Sequence, residues 1–275
     1  MTDPESSSHE APTKEEMQSA SPSAPREKRK NAFSALMAPK KKSPPPPRPS
    51  PFKNRMGLGA YLGDPGSFPA SVVIAHSADF VLIHDKFPKA TVHTLLLPRA
   101  PAVRLLHPFD ALADPVFLAR VRAEAARARA LVAGELQRRL GRHSAAEAAR
   151  QAVLDGGDAG AGAGAELPRG RDWAAEVVCG VHAVPSMSHV HVHVLSRDMH
   201  AETMRHRKHY NSFVTPFLVD LDDFPLPLAD PRRATKREGY LARELRCWRC
   251  GRGFGNQFKM LKEHLEEEFE AWKRE

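Results

Sequence analysis

A chain of 275 residues, 41% of them hydrophobic, is long enough to bury a core, yet only 7% are aromatic and 24 are proline, so part of it is expected to stay unfolded. No apolar run approaches the ~20 residues that span a bilayer, and the polar N-terminus has no signal-peptide core, which points to a soluble intracellular protein with no membrane partner. Three cysteines, two of them at Cys247-x-x-Cys250 and the third, Cys179, in an apolar run, speak for a reducing compartment and a metal site and against a disulfide framework.

The net charge of +8 is unevenly placed. Residues 1–51 are rich in Ser, Pro, Glu and Lys and read as a disordered, basic, Pro-rich tail with a short helix at 31–38. From Arg26 to Arg55 ten Lys or Arg face the single acid Glu27. That run is either a solvated tail or an arm for nuclear import or nucleic acid, and nuclear localisation is the expectation. Next, Met56, Leu58, Tyr61 and Leu62 supply the apolar side of a short helix. Val72–Ile74, Phe80–Ile83 and Val92–Leu97 read as strands, the third stopped by Pro98. Leu118, Val121, Ala125, Ala128, Val132 and Leu136 recur at spacings of three and four and predict a long amphipathic helix covering one face of the sheet. Residues 141–171, nearly pure Gly, Ala and Asp over 156–164, read as a flexible surface insertion. Glu176–Val181 and His189–Leu195 complete about five strands. The expected fold is therefore α+β, with a catalytic domain at 52–220 and a small module at 221–275 that opens with a linker-like turn region at 222–231.

The stretch Ser188-His189-Val190-His191-Val192-His193-Val194-Leu195 carries the chemistry. On a strand, alternation places His189, His191 and His193 on one face and three valines on the other, so one side is reactive and the other is core. A metal-binding strand is the plain alternative, though no carboxylate interrupts the run. In the C-terminal module, Cys247-x-x-Cys250 followed by His264-x3-Glu268 has the ligand number and spacing of a structural zinc site, because residues four apart share a helix face. Glu267 is off by one and points away. Eight Lys or Arg lie between Arg232 and Arg252, directly on this motif.

The His-φ-His-φ-His-φ-φ run, with φ apolar, resembles the histidine triad family of nucleotidyl hydrolases and transferases. Three further stretches, 180–188, Asp85-Lys86-Phe87-Pro88-Lys89-Ala90 and Lys208-His209-Tyr210-Asn211-Ser212-Phe213, are similar to the aprataxin family of DNA-adenylate hydrolases within it. The resemblance implies a histidine triad fold, an antiparallel sheet with one long helix, plus a DNA-binding zinc finger. It implies His191 as nucleophile flanked by His189 and His193, and AMP leaving after cleavage of an adenylyl-histidine. It further implies nucleotide contacts from Asp85 (ribose), Lys89 (phosphate), Ser186 and Ser188, DNA contacts from Arg207, Lys208 and His209, and Met56 as a wedge at the terminal base pair. For Ser186 a turn hydroxyl bonding its own backbone is an equal reading. The proton donor to the leaving phosphate is His182 or His200, with His182 preferred for its place in the family-like stretch. Thr91 departs from the pattern, standing where animal relatives carry an arginine. A monomer that takes AMP off the 5′ ends of DNA is expected, at nicks, double-strand ends or RNA-DNA junctions. A triad hydrolase of small nucleotides and a non-catalytic DNA-binding zinc-finger protein are the alternatives.

Overall fold

The computed structural model describes residues 55–156 and 167–275, which belong to one compact unit. The expected tail at 1–51, its helix at 31–38 and most of the Gly/Ala run lie outside the described residues. Six antiparallel strands, β1 (Val73–His76), β2 (Phe80–His84), β3 (His93–Pro98), β4 (Val177–His182), β5 (Val192–Ser196) and β6 (Leu218–Asp220), form a sheet in the order β1-β2-β3-β5-β4-β6. This is the α+β arrangement, an antiparallel sheet with one long helix, that the sequence predicts.

The sixth strand corrects the expected count of about five. It is only three residues long, Leu218–Asp220, too short to read as a strand from the sequence. Gly180 makes the pairing possible: a Cβ there would come within 2.6 Å of the Val219 carbonyl oxygen, so only glycine lets β6 approach β4.

One long helix, α2 (Pro115–Leu140), follows a short N-terminal helix, α1 (Ala60–Gly63), and covers one sheet face. Its start is fixed by Asp114, whose carboxylate accepts from the Val116 and Phe117 amides at 2.8 and 3.1 Å, with Pro115 supplying a pre-set first residue. The predicted stripe is buried from Leu118 to Leu136 and extends to Phe117 and Leu140. It packs on Val177, Val181, Val190, Val192 and Val194, so the three triad valines do enter the core. Only His193 of the three histidines lies within the hydrogen-bonded ladder, because β5 begins at Val192 and the Val190 amide donates instead to the Arg104 carbonyl at 2.8 Å.

Among the described residues, two stretches expected to be a flexible insertion and a linker-like turn region carry ordered, packed segments. Within 141–171, Ala145–Leu154 is a helix, α3, capped by Ser144, and its Glu147 accepts from the Trp173 indole at 2.7 Å. The stretch 222–231 is no linker. Phe224 and Leu226 are buried in the main core, and the Arg122 guanidinium collects the carbonyls of Leu221, Asp222 and Phe224 at 2.8 to 3.2 Å. Nor does the C-terminal part own a separate core. Leu245, Cys247, Phe254, Leu261 and Leu265 share one with Leu195, Met199, Met204, Tyr210 and Phe213. Trp272, at the end of α5 (Phe258–Trp272; α4 is Arg207–Val214), is 1% exposed in the main core and donates to Glu176 at 2.9 Å.

Candidate active site and metal centre

His189, His191 and His193 are all buried, so each has lost most of its hydration and its protonated form is disfavoured. Burial pushes the pKa of His191 down and that of His193 well below the usual histidine value. Neutral imidazoles have one donor and one acceptor nitrogen each, and their neighbours decide which is which. His191 Nδ1 lies 2.7 Å from the His189 carbonyl oxygen and donates its hydrogen bond there, which leaves a free lone pair on Nε2.

A second chain of bonds fixes His193. The Lys89 amide donates to His93 Nδ1 at 3.0 Å, so neutral His93 carries its proton on Nε2. That nitrogen donates to His193 Nδ1 at 2.9 Å, with the Asp85 carboxylate 3.4 Å from the same nitrogen. His193 must then hold its own proton on Nε2, a buried N–H with no partner among the described residues. An unpaired buried donor beside a free lone pair is able to receive an anionic oxygen. Burial holds His93 neutral as well, with its pKa lowered to about 4.

His93 was missed in the sequence, where it is one polar residue opening an apolar strand. Strand alternation was the available signal: on β3 its ring faces the triad from the neighbouring ladder position, paired with Leu195. Donor atoms of Asp85, His93 and His193 lie within 4.8 Å of one another, as in a metal site. The protonated Nε2 of His93 has no lone pair to give, so hydrogen bonding accounts for the cluster.

His182 lies beside the triad, its ring 4.3 Å from that of His193 and enclosed by Phe213 and Phe217. Burial lowers its pKa to about 3. His200 is elsewhere: it stacks on Phe269 at 4.0 Å and bonds Glu266 at 2.7 Å, against α5. The Lys89 ammonium bonds the Phe87 carbonyl, and burial lowers its pKa. Asp85 accepts from the Phe87 amide at 2.7 Å while facing His93. Thr91 has a structural task, donating its hydroxyl to buried Asp198 at 2.8 Å and thereby tying down the loop that carries Lys89. Ser186 is exposed and Ser188 half-buried on the turn before the triad, with the Ser188 amide donating to the Arg55 carbonyl at 2.8 Å. Met56 is half-exposed.

On α4 the three predicted DNA contacts diverge. Lys208 is exposed, Arg207 is engaged by Asn256, and the His209 ring packs on His206 at 3.5 Å. Burial and the nearby charges of His206 and Lys89 lower the pKa of His209 to about 4.

The four predicted metal ligands come together. Donor atoms of Cys247, Cys250, His264 and Glu268 all lie within 4.8 Å of one another, with Cys250 Sγ 3.1 Å and Glu268 Oε1 3.2 Å from His264 Nε2. Separations of this size are close to the edges of a tetrahedron around a zinc ion with bonds of about 2.0 to 2.3 Å. Two sulfurs, an imidazole and a carboxylate are a donor set suited to zinc. Glu267 stays outside, 81% exposed and 3.8 Å from the other nitrogen of His264. Arg249 pairs with Glu268, supplying the positive charge that two thiolates and a carboxylate call for.

Models of two families match the chain, the HIT domain at residues 69–200 and the C2HE / C2H2 / C2HC zinc-binding finger at residues 214–271. The chain is 30% identical over 223 residues to an aprataxin-like protein of Schizosaccharomyces pombe, covering 79% of this chain and 82% of that protein. It is likewise 30% identical over 223 residues to an aprataxin-like protein of Saccharomyces cerevisiae, covering 79% and 96%. The aprataxin ortholog Hnt3, solved in complex with DNA, matches at a TM-score of 0.61 and 26% identity over 79% of this chain and 96% of that one. Hnt3 in complex with DNA and guanosine matches at a TM-score of 0.60 and 27% identity over the same shares.

Proposed function

This chain belongs to the aprataxin family of histidine triad proteins, and from that premise we propose how it acts as a DNA repair hydrolase, removing AMP from adenylated DNA. The observation that carries the mechanism is the pair of fixed tautomers: a lone pair on His191 Nε2 and a proton on His193 Nε2.

Attack of His191 Nε2 on the adenylate phosphorus forms a P–N bond and breaks the bond to the oxygen of the DNA 5′-phosphate, releasing the repaired end. Water then breaks the P–N bond, and AMP leaves. Both steps develop negative charge on the phosphoryl oxygens, which the His193 N–H receives and the Lys89 ammonium offsets. The carbonyl of His189 accepts the hydrogen bond that strengthens as His191 becomes positively charged in the intermediate. His182 is assigned to the leaving phosphate. Its depressed pKa makes it neutral at rest, so it can carry a proton only once an anionic phosphate is beside it. Asp85 is assigned to the ribose hydroxyls, Ser186 and Ser188 to the phosphate, and Met56 with the exposed Lys208 to the DNA end.

Cys247, Cys250, His264 and Glu268 would hold a structural zinc ion, which organises the loop between β7 (Leu245–Arg246) and β8 (Gly253–Gly255) against α5. Its basic surroundings suit sequence-independent phosphate contact, since such a lesion arises at any sequence. The polar, basic composition at 26–55 supports nuclear localisation. The test is incubation of 5′-adenylated nicked DNA with the protein, reading the 5′-phosphate product by gel and trapping labelled AMP on the protein. Label on a residue other than His191, or turnover of small adenosine phosphoramidates alone, would overturn this reading.

A further inference from the structure

Gly59 joins a 3-10 turn (Gly57–Gly59) to α1 in ordinary right-handed helical geometry, with φ −60° and ψ −25°. Any residue adopts that conformation, and alanine there would favour the helix by about 0.5 to 1 kcal/mol. Backbone freedom therefore does not explain the glycine.

Space does. A Cβ on Gly59 would stand 2.7 Å from Cε1 and 2.9 Å from Nε2 of the His189 ring, well inside van der Waals contact. At neighbouring Gly57 a Cβ would meet only the Met187 methyl at 3.5 Å, and at Gly63 nothing within 4 Å. Nor can the turn retreat. Leu58 and Leu62, on either side, are buried with Val73, Val81, Ile83, Leu95 and Leu97. Arg99 holds the carbonyls of Leu62 and Gly63 at 3.0 and 3.1 Å. The Arg55 carbonyl accepts from the Ser188 amide, and the Arg55 guanidinium donates to the Pro185 carbonyl at 3.2 Å. A side chain at Gly59 would thus displace the His189 ring, since the helix is anchored on both sides.

His189 is the residue whose carbonyl oxygen orients the nucleophile, at 2.7 Å from His191 Nδ1. We infer that Gly59 is a positioning residue for the nucleophile: its bare backbone is the wall on which the His189 ring rests, and that ring position sets the carbonyl that selects the His191 tautomer. The inference rests on His191 acting as the attacking group. Its test uses a small adenosine phosphoramidate, so that failure on adenylated DNA alone would count against the proposed substrate and leave this inference standing.

In zinc-loaded full-length protein, Gly59→Ala should lower kcat on the phosphoramidate about 10- to 100-fold, with a melting temperature lowered by no more than about 10 °C, the scale of one displaced side chain. The ring ¹⁵N shifts of His191 should also move away from the Nδ1–H form. Gly63→Ala, in the same helix with open space, should leave kcat and the shifts unchanged. In a His189→Ala background, where the ring is gone, adding Gly59→Ala should change kcat by less than about twofold. A kcat for Gly59→Ala within about twofold of the parent would overturn the inference. So would an equal loss in the His189→Ala background, which would mark a packing defect unrelated to the ring.

Discussion

Two clusters of histidine and its partners sit in one molecule and do opposite things with the same ring. In the triad site the imidazoles are buried, and hydrogen bonds from a backbone amide and to a backbone carbonyl assign the protons of His93, His193 and His191. In the candidate metal centre His264 meets two sulfurs and a carboxylate, with Arg249 behind the carboxylate, and the four donor atoms lie within 4.8 Å of one another. Burial with directed protons suits an imidazole to attack, whereas convergence with two sulfurs and a carboxylate suits it to a metal ion. The residue type decides neither.

The contrast is chemical, but the two sites are mechanically joined through α4. Phe213 touches the rings of His93, His182 and His193 at 4.7 to 5.3 Å. One turn earlier on the same helix, the Tyr210 hydroxyl donates to the Arg246 carbonyl and accepts from the Trp248 amide, both at 2.9 Å, at the base of the metal loop.

The largest effect separates the sites. His191→Ala should reduce deadenylation by at least about 10³-fold with zinc content and melting temperature unchanged, because a nucleophile has no substitute. Near-normal single-turnover rates in that variant would end the covalent mechanism.

Cys247→Ser tests the join. Zinc content should fall to zero, melting temperature should drop by about 10 °C or more, and turnover should fall on both adenylated DNA and small phosphoramidates, since α4 loses its footing. Undiminished phosphoramidate turnover would show that the catalytic site is indifferent to the metal centre.

Within the triad site, His93→Leu should lower kcat about 10- to 100-fold with little change in KM, by freeing His193 to adopt the wrong tautomer. A KM effect alone would place His93 in substrate binding. The metal centre should be untouched, as zinc analysis will report.

Acid should act on the triad site through stability. His93 and His182 have folded pKa values of about 4 and about 3, below the unfolded value of about 6.5, so the unfolded chain binds their protons first. Stability from keeping them neutral is complete above about pH 6.5 and declines as pH falls from there towards pH 4. Thermal melts of the parent and of His93→Leu across that range should converge on acidification; parallel curves would mean that His93 titrates normally when folded.

The smallest effect is at the DNA end. Met56→Ala should slow nicked duplex substrates about two- to fivefold more than single-stranded ones, the scale of one half-exposed apolar contact. Equal slowing on both would assign Met56 to packing.

The sequence by itself determined much of this protein. Alternation in 188–195 separates reactive from core residues, the three- and four-residue spacing from Leu118 to Leu136 predicts α2, and Cys247, Cys250, His264 and Glu268 carry their ligand geometry in their spacing. Such signals are local, because chain geometry alone brings those residues onto one face. What only the tertiary structure decided are relations between distant segments. These include the donation from His93 on β3 to His193 on β5, the separation of His182 from His200, the seat of His189 against Gly59, and the core that joins the metal loop to α4. A proton's place on an imidazole depends on which group lies about 3 Å away, and residues a hundred positions apart in sequence become neighbours only when the sheet closes.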